Sequence, residues 1–283
     1  MTNYKTYIVM LLASAFGSFA LTPLAIRLAH RIGALDQPSP RKIHKLPMPR
    51  LGGVAVFLGF FMPWSGLYLL HNHIALTFKD YEMLFFSLVM GAGCMLALGI
   101  YDDIRGADAV QKFLVQTAVA CLLWSAGYRI NQFSIPFGEP MVLHPLLSLV
   151  ITVLWIVGVT NAINLLDGID GLVAGVSAVM GISLAVINIM GQNAILALLT
   201  LALTGASLGF LPYNYSPARI FLGDSGSLTI GLVLSCIGVL SVFGEPGHGG
   251  ASPLITVPLI LFGLPLFDTL RVMMNRFMSG QPI

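Results

Sequence analysis

Asn161-Ala162-Ile163-Asn164-Leu165-Leu166-Asp167-Gly168-Ile169-Asp170-Gly171 stands between two apolar runs, 141–160 and 171–190. Each run is long enough to cross the roughly 30 Å of hydrocarbon in a bilayer. In the break between them, two amides and two carboxylates recur at every third residue. On a helix that spacing makes a slowly rotating polar stripe, and a tighter winding would align it further. Gly168 and Gly171 let backbone approach a ligand closely. Acids at the mouth of a bilayer are costly to place and mark function.

Outward from this break the pattern repeats. Membrane-length apolar segments are expected near 6–28, 51–70, 82–100, 112–128, 141–160, 171–190, 194–212, 226–243 and 252–270, nine in all. The chain is 57% hydrophobic and 9% charged, against about 25% charged for a soluble domain. The fold class is therefore all-α: one polytopic helical bundle over 1–283, with no room for a sizeable soluble module. The first apolar segment is too long for a signal-peptide core and shows no small-residue cleavage site before Arg27, so it reads as a span. Cys94, Cys121 and Cys236 lie inside expected spans and read as packing residues.

Charge sets the orientation. With the N-terminus outside, the inner loops and helix ends hold Arg27, Arg31, Arg41, Lys42, Lys45, Arg50, Arg105, Lys112, Arg219, Arg271 and Arg276, and the outer side only Lys5, Lys79 and Arg129. Basic residues favour the cytoplasmic side, so the bias of eleven to three fixes the topology. The same topology makes Asp36, Asp102, Asp103, Asp108, Asp167, Asp170, Asp224 and Asp268 cytoplasmic, and leaves 71–81, 129–141 and the glycine-rich 244–251 as outer loops. No metal is expected at His71, His73 or His144 on that side.

Three further inner elements could carry chemistry. The stretch 30–50 is the longest polar one, and its four prolines forbid a continuous helix. Its basic residues suit lipid headgroups, while the interleaved Pro, His and Gly52-Gly53 suit contact with a substrate anion. Asp102-Asp103 closes the third span, where the helix dipole disfavours acids and a partner is required. Adjacent carboxylates point apart on a helix, so one can serve as base or orienter and the other face a cation or Lys112. The third element is Asn214 through Ser227. In it Asp224 either caps the following helix or binds a divalent cation, and Phe221 is either a membrane anchor or a stacking platform. Asp268 stands one turn before Arg271, as in a local ion pair. Hard oxygen donors without His or Cys clusters suit Mg²⁺, or Mn²⁺, which takes one or two protein ligands and completes its shell with phosphate and water.

At these residues the chain resembles the polyprenyl-phosphate N-acetylhexosamine-1-phosphate transferases, bacterial membrane enzymes of the undecaprenyl-phosphate type. The likeness covers nearly the whole chain. It rests on Arg41-Lys42-x-His44 with Pro49-Arg50-x-Gly52-Gly53, on Asp102-Asp103, on Asn161 through Gly171, and on Asn214-x-x-Pro217-Ala218-x-x-Phe221-x-Gly223-Asp224-x-Gly226-Ser227, in the family's order. It implies transfer of a sugar-1-phosphate, GlcNAc-1-phosphate on the Arg-Lys-His pattern, from a UDP-N-acetylhexosamine to a polyprenyl phosphate at the cytoplasmic face of the plasma membrane. Such a step would open the synthesis of O-antigen, common-antigen or wall teichoic acid lipids.

Carried over by residue, the resemblance implies Asp224 as Mg²⁺ ligand helped by Asn164. It puts Asp102, Asp103 and Asp167 among the catalytic groups, with Asp102 a candidate base. Lys45, Arg50, Lys112, Asn161, Asp170, Asn214 and Phe221 contact substrate, Phe221 stacking on uracil and Asp170 hydrogen-bonding it. The partners are these two substrates and membrane lipid. No nucleic acid is expected, and a homodimer is left open. Family members also carry a His-x-His-His loop soon after the ninth span and then one or two more spans. The 283 residues end at Ile283, about where that loop would begin, and turnover is expected to need it. The other readings are a UDP-MurNAc-pentapeptide phosphotransferase, an inactive binding relative, or a transporter. A transporter would place its polar residues near the bilayer midplane, whereas here they gather at one face.

Overall fold

A computed structural model describes residues 4–38, 45–69, 73–133 and 141–243, together with the helical positions 262, 263, 267, 271, 274, 275 and 278. The chain runs α1 (Tyr4–Ile32), α2 (Gly52–Phe61), α3 (His73–Asp80), α4 (Glu82–Arg105), α5 (Ala109–Ala126), α6 (Pro145–Leu166), α7 (Leu172–Met190), α8 (Ala194–Asn214) and α9 (Gly223–Phe243). Two short antiparallel hairpins complete it: β1 (Leu35–Asp36) with β2 (Met48–Pro49), and β3 (Gln132–Phe133) with β4 (Met141–Val142).

Among the described residues, seven helices (α1 and α4–α9) are long and apolar enough to cross a membrane. They confirm an all-α polytopic membrane protein. The expected span at 51–70 is not among these seven and divides into two windings. α2 gives way at Met62 to a 3₁₀ segment, Met62–Leu69, because Pro63 has no N–H for the α-helical ladder. At about 1.5 Å per α residue and about 2.0 Å per 3₁₀ residue the two pieces measure roughly 30 Å. The ninth expected span, 252–270, with Asp268, lies almost wholly outside the described residues. So do Arg41, Lys42, His44 and Arg276.

The outer loop expected at 71–81 instead contains α3. Ile74 and Phe78, four apart on one face, are fully buried. The ring of Phe78 lies 5.5 Å from Trp64 and 5.2 Å from Phe85, so the Ile74/Phe78 face pins this helix to the bundle.

Small residues, rather than interlocking large ones, set how close the helices come, as expected where lipid tails supply no hydrophobic drive for helix association. A Cβ on Gly205 would sit 2.2 Å from the Leu11 carbonyl oxygen, and one on Gly209 2.0 Å from that of Ala15, so α8 lies directly on α1. α9 is the central helix, with 89% of its apolar window enclosed, while α5 has 22% and lies at the rim. Phe16, Met83, Phe86 and Leu154 stand exposed on the outer helices, which suits a lipid solvent and not water.

Candidate active site

The C-terminal ends of α4, α6 and α8 and the N-terminal ends of α2, α5, α7 and α9 meet at one end of the bundle. Backbone ties them first. The Gly52 N–H donates to Phe221 O, the Gly53 N–H to Leu222 O, the Phe221 N–H to Pro49 O, and the Arg50 N–H to Ala34 O. The approach requires glycine at two places in particular. A Cβ on Gly53 would lie 2.2 Å from the Gly226 nitrogen, and Gly223, at φ +74°, has no room beside the Arg50 carbonyl.

This packing brings the N-terminus of α9 onto the acidic end of α4. Asp103 accepts from the Asp224 N–H through Oδ1 (3.0 Å) and from the Ser225 N–H through Oδ2 (3.1 Å). A carboxylate from another helix thus caps α9 at its positive end. Arg50 Nε lies 3.5 Å from Asp103 Oδ1, and its Nη1 3.4 Å from Asp36 Oδ1. Asp102, the adjacent acid, turns elsewhere: it accepts from the Ala107 N–H and pairs with Lys112. Lys112 Nζ also donates to Asp224 Oδ2 at 2.6 Å. One ammonium therefore joins carboxylates from α4 and α9, at a place still partly open to water, with 23% of the lysine side chain exposed.

The other expected residues divide into two groups. Asn164 donates to Ser227 Oγ (2.8 Å), one turn along α9 from Asp224. Asp167, at the C-terminal end of α6, lies close enough to Asp224 and Asp103 that burial first, then those two charges, raises its carboxyl well above the usual range. These two face the acidic centre. Asn161, Asn214 and Asp170 are engaged elsewhere. Asn161 exchanges hydrogen bonds with Gln116 of α5 and also donates to the Val157 carbonyl. Asn214 accepts from the Gly171 N–H and donates to the Ile220 carbonyl. Asp170 accepts from the Ala218 N–H at 3.1 Å. Lys45 is exposed in the loop between β1 and β2.

The amides of Asn161 and Asn214 are hydrogen-bonded to protein groups, and Asp103 accepts backbone N–H groups through both oxygens. Gln116, Ser225 and Ser227 are the residues that sequence reasoning missed. Gln116 carried a signal, a lone amide one turn after Lys112 inside an apolar span, whereas Ser225 and Ser227 stand within the Asn214–Ser227 element with no role of their own assigned.

The donor chemistry suits a hard divalent ion. Asp102 and Asp224 turn oxygens toward one cation, and Asn164 and Asp167 stand nearby. Among the described residues no three His, Cys, Asp or Glu side chains form a metal cluster. An ion that takes one or two carboxylates and fills its shell with phosphate oxygens and water needs no such cluster.

An apolar bundle with cationic and anionic groups gathered at one mouth defines a membrane enzyme that handles a charged substrate. The glycosyl transferase family 4 model matches residues 85–242. A probable undecaprenyl-phosphate N-acetylglucosaminyl 1-phosphate transferase of Bacillus subtilis is 38% identical over 278 residues, covering 98% of this chain and 73% of that protein. A decaprenyl-phosphate N-acetylglucosaminephosphotransferase of Mycobacterium tuberculosis is 32% identical, covering 97% and 71%. A phospho-N-acetylmuramoyl-pentapeptide-transferase of Limosilactobacillus reuteri is 31% identical, covering 84% and 76%. The chain belongs to glycosyl transferase family 4, as a polyprenyl-phosphate hexosamine-1-phosphate transferase.

Proposed function

We propose that the protein transfers GlcNAc-1-phosphate from UDP-GlcNAc to a polyprenyl phosphate at the cytoplasmic face of the plasma membrane. An oxygen of the lipid phosphate attacks the sugar-bearing β-phosphorus. The bond from that phosphorus to the bridging oxygen breaks, and UMP leaves with the electron pair. The observation that carries this reading is the lysine held between Asp102 and Asp224 at the membrane end of the bundle.

Lys112 meets the lipid phosphate as a compact cation. When an anion arrives, its ammonium exchanges a carboxylate contact for a phosphate one. Asp102 is left beside the incoming phosphate, where it takes up and orients any proton the nucleophile carries. Asp224, with Asn164, would hold Mg²⁺, which when bound supplies positive charge against the diphosphate. Asp167 lies beside that charge. Phe221 stacks on the uracil with Asp170 and Lys45 near it, supported by the two backbone hydrogen bonds that fix Phe221 between Pro49 and Gly52. Asp103, Asn161 and Asn214 are positioning residues, and Arg50 braces Asp103 and serves the substrate through what remains of its guanidinium.

Purified in lipid nanodiscs in a form that carries the His-x-His-His loop, the protein should release UMP from UDP-GlcNAc only when polyprenyl phosphate is added. Release from UDP-MurNAc-pentapeptide and none from UDP-GlcNAc would assign it to the other branch. No release from either would refute the reading.

A further inference from the structure

We infer that Gln116 is a positioning residue that sets where Lys112 meets the lipid phosphate, by locking α5 to α6 through Asn161. The inference rests on the transferase reading above.

α5 is the least enclosed span of the bundle, and its buried contacts are Gln116, Val119, Ala120 and Leu123. Three of these are apolar side chains that can slide or rotate against their neighbours at little cost. Gln116 is the polar one, and it is 1% exposed. Asn161 Nδ2 donates to Gln116 Oε1 at 2.6 Å, and Gln116 Nε2 returns a longer bond to Asn161 Oδ1 at 3.4 Å. Two amides paired in this reciprocal way fix both the height and the rotation of α5 against α6.

Lys112 stands four residues before Gln116, hence on the same face and one turn nearer the mouth. Its ammonium reaches Asp224 on α9 and pairs with Asp102 on α4. The other polar tie from α5 to α6, Trp124 Nε1 to Ser148 Oγ at 3.1 Å, lies about three turns away from the lysine, so the amide pair is the one next to it. Asn161 in turn lies one turn from Asn164, which is bonded to Ser227 on α9. The amide pair therefore ties the lysine's helix to the same scaffold that holds Asp224. Loss of the tie lets α5 shift by a fraction of a turn, which moves the cation off the phosphate while leaving the nucleotide's surroundings on α6, α8 and the loop to α9 in place.

Gln116→Leu is the variant of choice, because it keeps the side-chain volume and Asn161 keeps its hydrogen bond to the Val157 carbonyl. UMP release should fall in kcat/KM for polyprenyl phosphate by roughly 10- to 100-fold, since an ångström of misplacement can cost about that much. KM for UDP-GlcNAc should move by less than about threefold, the scale of a weak indirect contact. Thermal unfolding should confirm a folded protein. The exchange Gln116→Asn with Asn161→Gln restores an amide pair of the same total length and should recover most of the loss.

Wild-type turnover with Gln116→Leu unimpaired would overturn this inference alone, as would equal damage to both substrates' KM or an exchange variant as poor as Gln116→Leu. Absence of turnover in the wild type would remove the transferase reading and this inference with it.

Discussion

Asp224→Asn should lower UMP release by about 10²- to 10³-fold, the usual cost of removing one preorganised charge from a reacting centre. The substitution keeps the side chain's size. It also keeps the backbone N–H that Asp103 caps, so α9 starts where it did and the bundle survives. What disappears is the anion that faces Lys112 at 2.6 Å and that would hold the divalent ion. Two measurements separate these losses. Mn²⁺ binding followed by electron paramagnetic resonance should weaken in the variant, and UDP-GlcNAc turnover should not be restored by excess Mg²⁺. Undiminished turnover, or unchanged Mn²⁺ binding, would place the ion on other residues.

The largest structural effect should come from Gly53→Ala. The added Cβ would stand 2.2 Å from the Gly226 nitrogen and 2.4 Å from the Ser225 carbonyl carbon. Both are backbone atoms and cannot swing aside. α2 must therefore retreat from α9, and the hydrogen bond from the Gly53 N–H to Leu222 O is lost with it. Overpacking costs about 1–3 kcal/mol where side chains can adjust, and a rigid backbone clash should reach about 3 kcal/mol or more. Thermal unfolding in detergent should show a large fall in Tm, with UMP release abolished. Gly93→Ala is the control: a Cβ there meets nothing within 4 Å, and a glycine-to-alanine change inside an exposed helix is neutral or stabilising by up to about 1 kcal/mol. Equal behaviour of the two variants would mean that the α2–α9 contact does not hold the site.

Much of this arrangement is legible in the residues. The apolar runs and the distribution of Lys and Arg lead to a bundle with its acids gathered at one end. The paired acids Asp102-Asp103 demand partners because a helix C-terminus repels them, and the partners are Lys112 and the N-terminus of α9. What stayed hidden is of two kinds. α3 rests on Ile74 and Phe78 within the eight residues His73–Asp80, a run too short to show a helical period in the sequence. The engagement of Asn161, Asn214 and Asp103 depends on long-range packing: Gln116, Gly171 and Ser225 are 45, 43 and 122 positions away from their partners. Spacing along one helix reveals which residue types share a face. It does not reveal whether that face meets a substrate or a neighbouring helix.

The central claim is that the bond broken lies within the diphosphate, between the β-phosphorus and UMP. UDP-GlcNAc carrying ³²P in the β position, incubated with polyprenyl phosphate and the protein, tests it directly. Transfer of sugar-1-phosphate predicts that the label leaves the aqueous phase and appears in the lipid product, with unlabelled UMP released. Label retained in water-soluble UDP while sugar enters the lipid fraction would contradict the account, because the enzyme would then cleave the sugar–oxygen bond instead.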